Sequence, residues 1–268
     1  AGDDTALDAH TDATPDTTPD TTPDLSPDTT PDMDEPDLPP PPPIYLVHVQ
    51  NERNELWLID VETLEVTVAC SFQEDVNYPS ITFGLDGTFY GSRRGQFLDR
   101  IDPCTCEITP IGDVGYTGVV GITANGVKSW ELYGLSYISD LLLVMDTEDG
   151  VGIPVGDGLG VNFGFSGTTW SADIAGLFAI NADTDSLYRV DVESGVASAP
   201  VPLTADFSTV GIEWHPSNSK LYACTASQLY RIDTDNGESN LLLNLESGCN
   251  NLAAPWQPVQ CLNDLLMP

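Results

Sequence analysis

The feature of this sequence that most constrains its fold is an internal repeat. A run of apolar residues that ends in Asp recurs five times, with spacings of 42, 44, 45 and 42 residues. The five positions are Asp60, Asp102, Asp146, Asp191 and Asp233. Each is followed by a turn, such as residues 191–195, in which an Asp side chain caps backbone amides and a Gly supplies positive φ. A period of this length indicates a repeat architecture built from one recurring supersecondary unit.

Two further elements recur with the same period. A shorter strand upstream of each Asp carries an aromatic residue, and a third element begins with a small residue. The aromatic residues are Tyr45, Tyr90, Tyr133, Phe178 and Tyr222. The small residues are Ser80, Gly121, Gly167, Gly211 and Ala253. Crowded strands near a central axis require small side chains, so we expect the third element to form the innermost strand of each repeat.

The order of these elements predicts a closed ring. The first repeat starts at Ile44 and lacks an innermost strand, whereas a surplus copy of that strand occurs at residues 253–256. If the last strand completes the first repeat, five units of about four strands form an all-β, five-bladed β-propeller. No segment shows helical periodicity of useful length.

Two runs of the fifth repeat carry a resemblance to known proteins. Residues 211–223 read Gly-Ile-Glu-Trp-His-Pro-Ser-Asn-Ser-Lys-Leu-Tyr-Ala, and residues 229–233 read Leu-Tyr-Arg-Ile-Asp. These runs resemble the repeats of NHL-like and YncE-like extracellular β-propellers, and the resemblance extends from residue 44 to about residue 262. It implies a protein that binds ligands or partners on one face of the ring, although some such propellers are enzymes.

Residues 1–43 differ from the rest of the chain in composition. They contain 12 acidic residues, no Lys or Arg, and 11 of the 21 prolines. Such a segment buries too little apolar surface to offset its ordering entropy. We therefore predict an extended or disordered acidic tail at residues 1–43 and the propeller at residues 44–268.

A Thr-Pro-Asp motif repeats every four residues in this tail. The hydroxyl residues before the prolines are Thr14, Thr18, Thr22, Ser26 and Thr30. This composition is typical of O-glycosylated stalks, so the five positions are candidate glycosylation sites. The array is also consistent with a bare solvated spacer, or with a segment that docks onto a neighbouring copy.

The charge of the chain excludes two classes of partner. Asp and Glu number 42 against 8 Lys and Arg, for a formal charge of −34, and such a field repels nucleic acid and anionic membranes. No apolar run reaches the ~20 residues that span a bilayer. The chain opens without a charged or apolar leader, so we expect that any signal peptide has been removed. Six cysteines, an even number, favour an oxidising, extracellular or cell-surface location.

The cysteines include one close pair, Cys104 and Cys106, in the turn of the second repeat. We expect a local disulfide between them, because a metal site would need more thiolates nearby. The other four cysteines then allow three pairings. These four are Cys70, Cys224, Cys249 and Cys261. A bridge near the closing strand would protect the ring where it is most easily opened.

The sequence carries no recognisable catalytic, metal or cofactor motif. The innermost strands place Thr82, Thr123, Thr169, Glu213 and Pro255 at equivalent positions, so only Glu213 is acidic. Glycoside hydrolases need two carboxylates, and a lone Glu213 does not supply both roles. No His pair has metal-ligand spacing, and no nucleotide or nucleophile motif occurs. We therefore predict no catalytic residue, no metal and no cofactor.

Loops that lead into the innermost strands should share one face of the ring with the hairpins between second and third strands. This face combines aromatic residues with two of the eight bases. The candidate binding residues are Tyr78, Arg93, Arg94, Tyr116 and Phe163. Such side chains, held on loops by a rigid scaffold, suit partner binding.

Three functions of different classes follow. The first is a non-enzymatic, secreted or cell-surface propeller that binds a protein or glycan and is displayed on an extended stalk. The second is a self-assembling subunit of an extracellular fibre or surface layer, in which the acidic tail contacts Arg93 and Arg94 of the next copy. The third is a glycan hydrolase that uses Glu213.

Overall fold

The computed structural model describes residues 43–266, which form five antiparallel β-sheets around a common axis. The all-β, five-bladed propeller predicted from the repeats is thereby confirmed. Residues 1–42, which make up the predicted tail apart from Pro43, lie outside the described residues. The candidate glycosylation sites outside them are Thr14, Thr18, Thr22, Ser26 and Thr30.

Each sheet is one blade, and its strands follow one another in sequence. Blade 1 has β1 (Tyr45–Gln50), β2 (Glu55–Asp60) and β3 (Val66–Ser71), and blade 2 has β4 (Ser80–Phe83), β5 (Phe89–Arg93), β6 (Phe97–Ile101) and β7 (Ile108–Asp113). Blade 3 has β8 (Val119–Ala124), β9 (Glu131–Ser136), β10 (Leu141–Asp146) and β11 (Gly152–Val155). Blade 4 has β12 (Ser166–Ser171), β13 (Gly176–Asn181), β14 (Ser186–Val190) and β15 (Ala197–Pro202). Blade 5 has β16 (Gly211–His215), β17 (Lys220–Thr225), β18 (Gln228–Ile232) and β19 (Ser239–Asn244), and a short helix, α1 (Gln260–Leu266), follows near the end of the chain.

The strand nearest the axis in blades 2 to 5 is buried on both faces. Strands β4, β8, β12 and β16 are buried along their whole length, whereas the outer strand β3 leaves residues exposed. Gly121 shows why small residues recur here, because a Cβ at this position would lie 2.8 Å from the backbone nitrogen of Thr168 in the next blade. The expectation that the third element of each repeat forms the inner strand is confirmed for these four blades.

Threonine hydroxyls link neighbouring inner strands. The backbone N–H of Trp170 donates to Thr123 Oγ1, and that of Trp214 donates to Thr169 Oγ1, both at 2.8 Å. These N–H groups are buried, and an unpaired buried N–H costs as much as a lost hydrogen bond. The recurring inner-strand Thr therefore joins one blade to the next.

The ring closes where the end of the chain meets blade 1. Val47 N–H donates to Ala253 O at 2.7 Å, and Ala253 N–H donates to Val47 O at 2.9 Å. This pair is an isolated antiparallel bridge outside the regular strands. The surplus copy of the inner strand thus completes blade 1, as the order of the repeats predicts.

The side chain of Asn251 extends this short ladder. Val49 N–H donates to Asn251 Oδ1 at 2.8 Å, and Asn251 Nδ2 donates to Val49 O at 3.0 Å and to Tyr78 O at 2.8 Å. The carboxamide therefore takes the place of a second pair of backbone groups. Asn251 is 1% exposed, so water competes little for these hydrogen bonds.

The predicted disulfide between Cys104 and Cys106 is wrong. Cys106 is buried against β3, where it bonds to Cys70, whereas Cys104 is exposed on the same turn and bonds to Cys261 in α1. The two side chains leave the turn in different directions, which a spacing of two residues does not reveal.

The third bridge joins Cys224 to Cys249. It ties blade 5 to the segment just before the closing strand, while Cys104–Cys261 ties blade 2 to the segment just after it. The closing strand is thus fastened on both sides, as expected of bridges that protect the ring. Over residues 43–266, no helix has the length and apolar character needed to cross a membrane.

We predict that Asn251→Ala lowers the free energy of unfolding by about 3 kcal/mol or more. The change leaves the buried backbone N–H and C=O of Val49 without their Asn251 partners, and each such group costs ~1–3 kcal/mol. The control Asn244→Ala, at an exposed position of β19, should change it by less than about 0.5 kcal/mol. Urea unfolding followed by tryptophan fluorescence measures both. Wild-type stability in Asn251→Ala would mean that the carboxamide does not hold the ring closed.

Candidate functional site

The alternation of strand direction gives the ring two faces. The upper face carries the loops that lead into the inner strands and the hairpins between second and third strands. The lower face carries the other turns and α1. All five predicted binding residues occur in upper-face loops or in the strand ends beside them, but their side chains have different surroundings.

Tyr78 and Arg93 meet at a buried carboxylate. The Tyr78 hydroxyl donates to Asp99 Oδ2 at 2.8 Å, and Arg93 donates from Nε to Oδ2 at 2.6 Å and from Nη2 to Oδ1 at 3.1 Å. Tyr78 is fully buried, and burial together with the negative charge of Asp99 raises the pKa of its hydroxyl. The pair holds the Asp99 carboxylate in blade 2, so Tyr78 offers no surface to a partner.

The other three predicted residues are not brought together. Arg94 is exposed at a positive φ of 56°, and its backbone N–H donates to Asn77 O at 2.8 Å. Tyr116 is half-buried against the core between blades 2 and 3. Phe163 is 4% exposed and packs on Tyr188, with ring centroids 5.1 Å apart. Of the five, Arg94 is the residue that lies fully at the surface.

The upper face does present an aromatic pair that the predicted set omits. Tyr137 and Phe165 stack with ring centroids 5.0 Å apart and an interplanar angle of 24°. Phe165 is 47% exposed, and Ile138, beside Tyr137, is 58% exposed. Phe165 follows Phe163 by two residues in the same upper-face loop, but Phe163 is buried and Phe165 is exposed, so the sequence alone does not identify the exposed ring.

Gly118 and Gly95 connect this pair to Arg94. A Cβ on Gly118 would lie 2.7 Å from Ile138 and 3.0 Å from the Tyr137 ring, and one on Gly95 would lie 3.6 Å from Gly118 Cα. These two glycines therefore lie between the blade 2 hairpin that carries Arg94 and the blade 3 hairpin that carries Tyr137 and Ile138. We call Arg94, Tyr137, Ile138 and Phe165 the upper-face stripe.

Phe165 also borders a depression at the mouth of the ring axis. All five blades reach it through residues at or before their inner strands, and it encloses only about 20 Å³, which is room for about one water molecule. Ser166 lines it, and the buried hydroxyl of Ser166 has no hydrogen-bond partner within the described residues. The mouth is therefore a small dimple beside the stripe, lined by apolar side chains and a few polar ones.

Glu213, the one acidic residue of inner strands β4, β8, β12 and β16, is buried, and its carboxyl is already hydrogen-bonded within the protein. Its Oε2 accepts a hydrogen bond from Thr169 Oγ1 at 3.2 Å, and the carboxyl also accepts from the backbone N–H of Ala254. Burial raises the pKa of Glu213 well above its ordinary value, which favours the neutral form. Glu213 thus joins blade 5 to the closing strand at Ala254. It has the role that Thr123 and Thr169 have between the other blades, with a longer side chain.

The two described histidines also bind backbone. His48 Nδ1 donates to Asn251 O at 3.0 Å, and His215 Nε2 donates to Tyr45 O at 3.0 Å. Burial lowers the pKa of both imidazoles, that of His215 to about 4. Among residues 43–266, no group of three His, Cys, Asp or Glu side chains is placed to hold a metal ion.

The chain was compared with known families, curated proteins and solved structures. No protein-family model and no curated protein matches it. A protein of unknown function from Bacteroides caccae aligns with a TM-score of 0.53 at 11% identity, over 80% of this chain and 100% of that one. A second, from Bacteroides thetaiotaomicron, gives 0.51 at 12% identity, over 78% and 61%. A chain of a nidogen/laminin complex gives 0.54 at 13% identity, over 76% and 79%.

At such low identity these likenesses show the fold alone. The number of blades follows from the five antiparallel sheets of this chain, and its end closes the ring. By fold, the chain is a five-bladed β-propeller repeat protein.

Proposed function

We propose that this protein is a non-enzymatic, extracellular or surface-displayed propeller that binds a protein partner through its upper-face stripe. The observation that carries the proposal is the stacked pair Tyr137–Phe165, with Phe165 47% and Ile138 58% exposed. Adjacent exposed apolar side chains on a folded domain mark interaction sites more often than isolated ones do.

The stripe is also pre-organised for binding. Gly118 leaves room for Tyr137 and Ile138 on one side, and the backbone N–H of Val119 donates to Gly95 O at 2.9 Å on the other. Side chains that are already held lose little entropy when a partner arrives, which favours affinity. A rigid ring with aromatic side chains on its loops therefore supports recognition without a conformational change.

The composition of the stripe favours a protein as partner. Tyr, Phe and Arg are enriched in protein interfaces, whereas Lys, Glu and Asp are depleted from their centres. One structural neighbour was solved in a nidogen/laminin complex, which is a complex between proteins. Three disulfides favour an oxidising compartment, and on this basis we propose secretion.

Self-assembly is a second candidate, and the position of Pro43 favours it. The described chain begins on the lower face, at Pro43 beside β1, whereas Arg94 and the stripe lie on the upper face. A contact between the tail of one copy and the upper face of the next is heterologous, and such contacts build filaments when they do not close. Arg93 is held by Asp99, so Arg94 would carry the attraction to the acidic tail.

We predict that a photo-crosslinking residue in place of Ile138 captures the partner from the surface fraction of the producing cells. The matched control is the same residue in place of Trp130, which is equally exposed at 58% but lies on the lower face. Mass spectrometry identifies the adduct. Adding Phe165→Ala should reduce capture about tenfold or more, because truncating a central aromatic residue costs ~2 kcal/mol.

Three outcomes of this experiment are informative. Capture of a different protein at residue 138, lost with Phe165→Ala, supports the binding function. Capture of a second copy of this chain supports self-assembly instead. A role for the stripe is contradicted if residues 138 and 130 capture the protein equally, or if Phe165→Ala does not reduce capture at residue 138.

The Glu213→Gln variant tests the non-enzymatic part of the proposal. The folded pKa of Glu213 is raised, so the stability that comes from its neutral carboxyl is present below about pH 4.5 and is lost as pH rises through the folded pKa. Gln keeps the acceptor for Thr169 and Ala254 and does not ionise. We therefore predict that Glu213→Gln equals wild type in unfolding free energy near pH 4.5 and exceeds it near neutral pH, with partner capture unchanged. A glycan-cleaving activity that Glu213→Gln abolishes would contradict the proposal and favour the hydrolase.

A further inference from the structure

The lower face carries a pocket that the proposed function does not use. It lies between blade 5, the start of β1 and the segment that follows the closing strand. Its enclosed volume is about 70 Å³, so it admits the edge of a ring-sized ligand rather than a whole molecule. The polar and aromatic side chains that line it are Tyr45, His215, Ser217, Trp256, Gln257 and Asn263.

Several polar groups of this pocket lack partners. Tyr45 is 2% exposed, and its hydroxyl is buried with no hydrogen bond to any described residue. The side chains of Asn263 and Ser217 also make no hydrogen bond with another described residue. A buried hydroxyl without a partner is costly, and a native structure that keeps one needs a reason such as a ligand or a water.

The pocket has no charged lining residue among the described ones. His215 is neutral, because Ser217 N–H donates to its Nδ1 at 3.2 Å while its Nε2 donates to Tyr45 O, and burial lowers its pKa to about 4. This neutrality stands out in a chain with a formal charge of −34. It disfavours an anionic ligand, since the surrounding protein repels anions and the pocket offers no cation to offset that.

The walls of the pocket are fixed in place. Gln257 Nε2 donates to Leu85 O of blade 2 at 3.0 Å, and the Cys104–Cys261 bridge ties α1, which carries Asn263, to the same blade. Three prolines also line the pocket: Pro43, Pro255 and Pro258. Their restricted backbone and these two ties make the pocket largely pre-formed, as ligand sites usually are.

Trp256 departs from its counterparts in the other repeats. Phe83, Trp170 and Trp214 are at most 7% exposed and pack between blades, whereas Trp256 is partly exposed and lines the pocket. An aromatic side chain beside an amide and hydroxyls offers an apolar surface together with hydrogen-bond donors and acceptors. A quaternary ammonium ligand would leave these polar groups unpaired, whereas a ring with several hydroxyls pairs with both donors and acceptors.

From this combination we propose that the lower-face pocket binds the edge of a neutral sugar ring. The ring contacts Trp256, and its hydroxyls pair with the Tyr45 hydroxyl and with the side chains of Asn263 and Ser217. The shallow pocket implies weak binding of a single sugar, with a Kd of roughly 1 mM or about −4 kcal/mol. A terminal sugar of a glycan fits these requirements.

Saturation-transfer NMR with a panel of neutral methyl glycosides tests the proposal. The panel contains the glycosides of glucose, galactose, mannose, fucose and the two N-acetylated hexosamines. We expect at least one to bind, and Tyr45→Phe to weaken its binding about tenfold, as the loss of one good hydrogen bond does. The same variant should melt at a higher temperature than wild type without sugar, because it removes a buried hydroxyl that has no partner.

Two further variants show whether the bound sugar occupies this pocket. Tyr230→Phe is the matched control: it removes a hydroxyl that donates to Gln228 on blade 5 and should leave sugar binding unchanged. Asn263→Ala removes a second polar group of the pocket and should also weaken sugar binding. It keeps the test decisive if the effect of Tyr45→Phe is too small to measure.

Three results would overturn the inference. One is that no glycoside of the panel binds. Another is binding that survives both Tyr45→Phe and Asn263→Ala. The third is binding that Phe165→Ala abolishes, since this would place the sugar on the upper face. Partner capture at residue 138 is a separate readout, so failure of this site leaves the proposed function untouched.

Discussion

The pairing of Val47 with Ala253, extended by the Asn251 carboxamide, is the contact on which the rest of the propeller depends. Without it, blade 1 would lack an inner strand and expose the edge of β1, and unpaired strand edges are sites of aggregation. The backbone supplies only one bridge here, so a buried side chain provides the remaining hydrogen bonds. All three disulfides lie in blades 5, 1 and 2 or in the closing segment. Covalent bonds are thus concentrated where the ring has no chain connection.

The repeat predicted the fold because its spacing can be recognised even where the individual residues differ from one repeat to the next. Small residues at Gly121 and Gly167 indicate crowding near an axis whether or not their exact neighbours are known. Asn251 could not be predicted in this way, since a single Asn has no counterpart in the other repeats. The pairing of Cys104 and Cys106 with other cysteines depends on the direction of each side chain in a turn, which spacing does not give.

The candidate site was only partly predictable for a similar reason. The sequence places Tyr78 and Phe163 in upper-face loops, but whether a loop aromatic turns inward depends on what lies beneath it. The ring of Tyr78 lies 2.5 Å from where a Cβ on Gly91 would be, so a glycine in β5 makes room for it in the core. Phe163 packs on Tyr188, and Phe165, two residues later, faces solvent. The sequence predicted which loops share the upper face, whereas the structure was needed to show which of their side chains are exposed.

The closed ring allows the two faces to take different roles. Inner strands joined by Thr123, Thr169 and Glu213 form a rigid centre, so loops on either side are held without needing contacts to one another. The upper face presents exposed aromatic surface. The lower face holds an uncharged pocket within a strongly acidic protein.

Native-state hydrogen exchange tests the closure of the ring most directly. If the closing contact is as strong as the rest of the ring, the backbone amides of Val47, Val49 and Ala253 exchange only through global unfolding. Their free energy of opening should then equal that of the amides of Trp170 and Trp214, which link blades at the centre of the ring. A clearly lower free energy at the three closing amides would contradict this, because blade 1 would then open while the other blades stay folded.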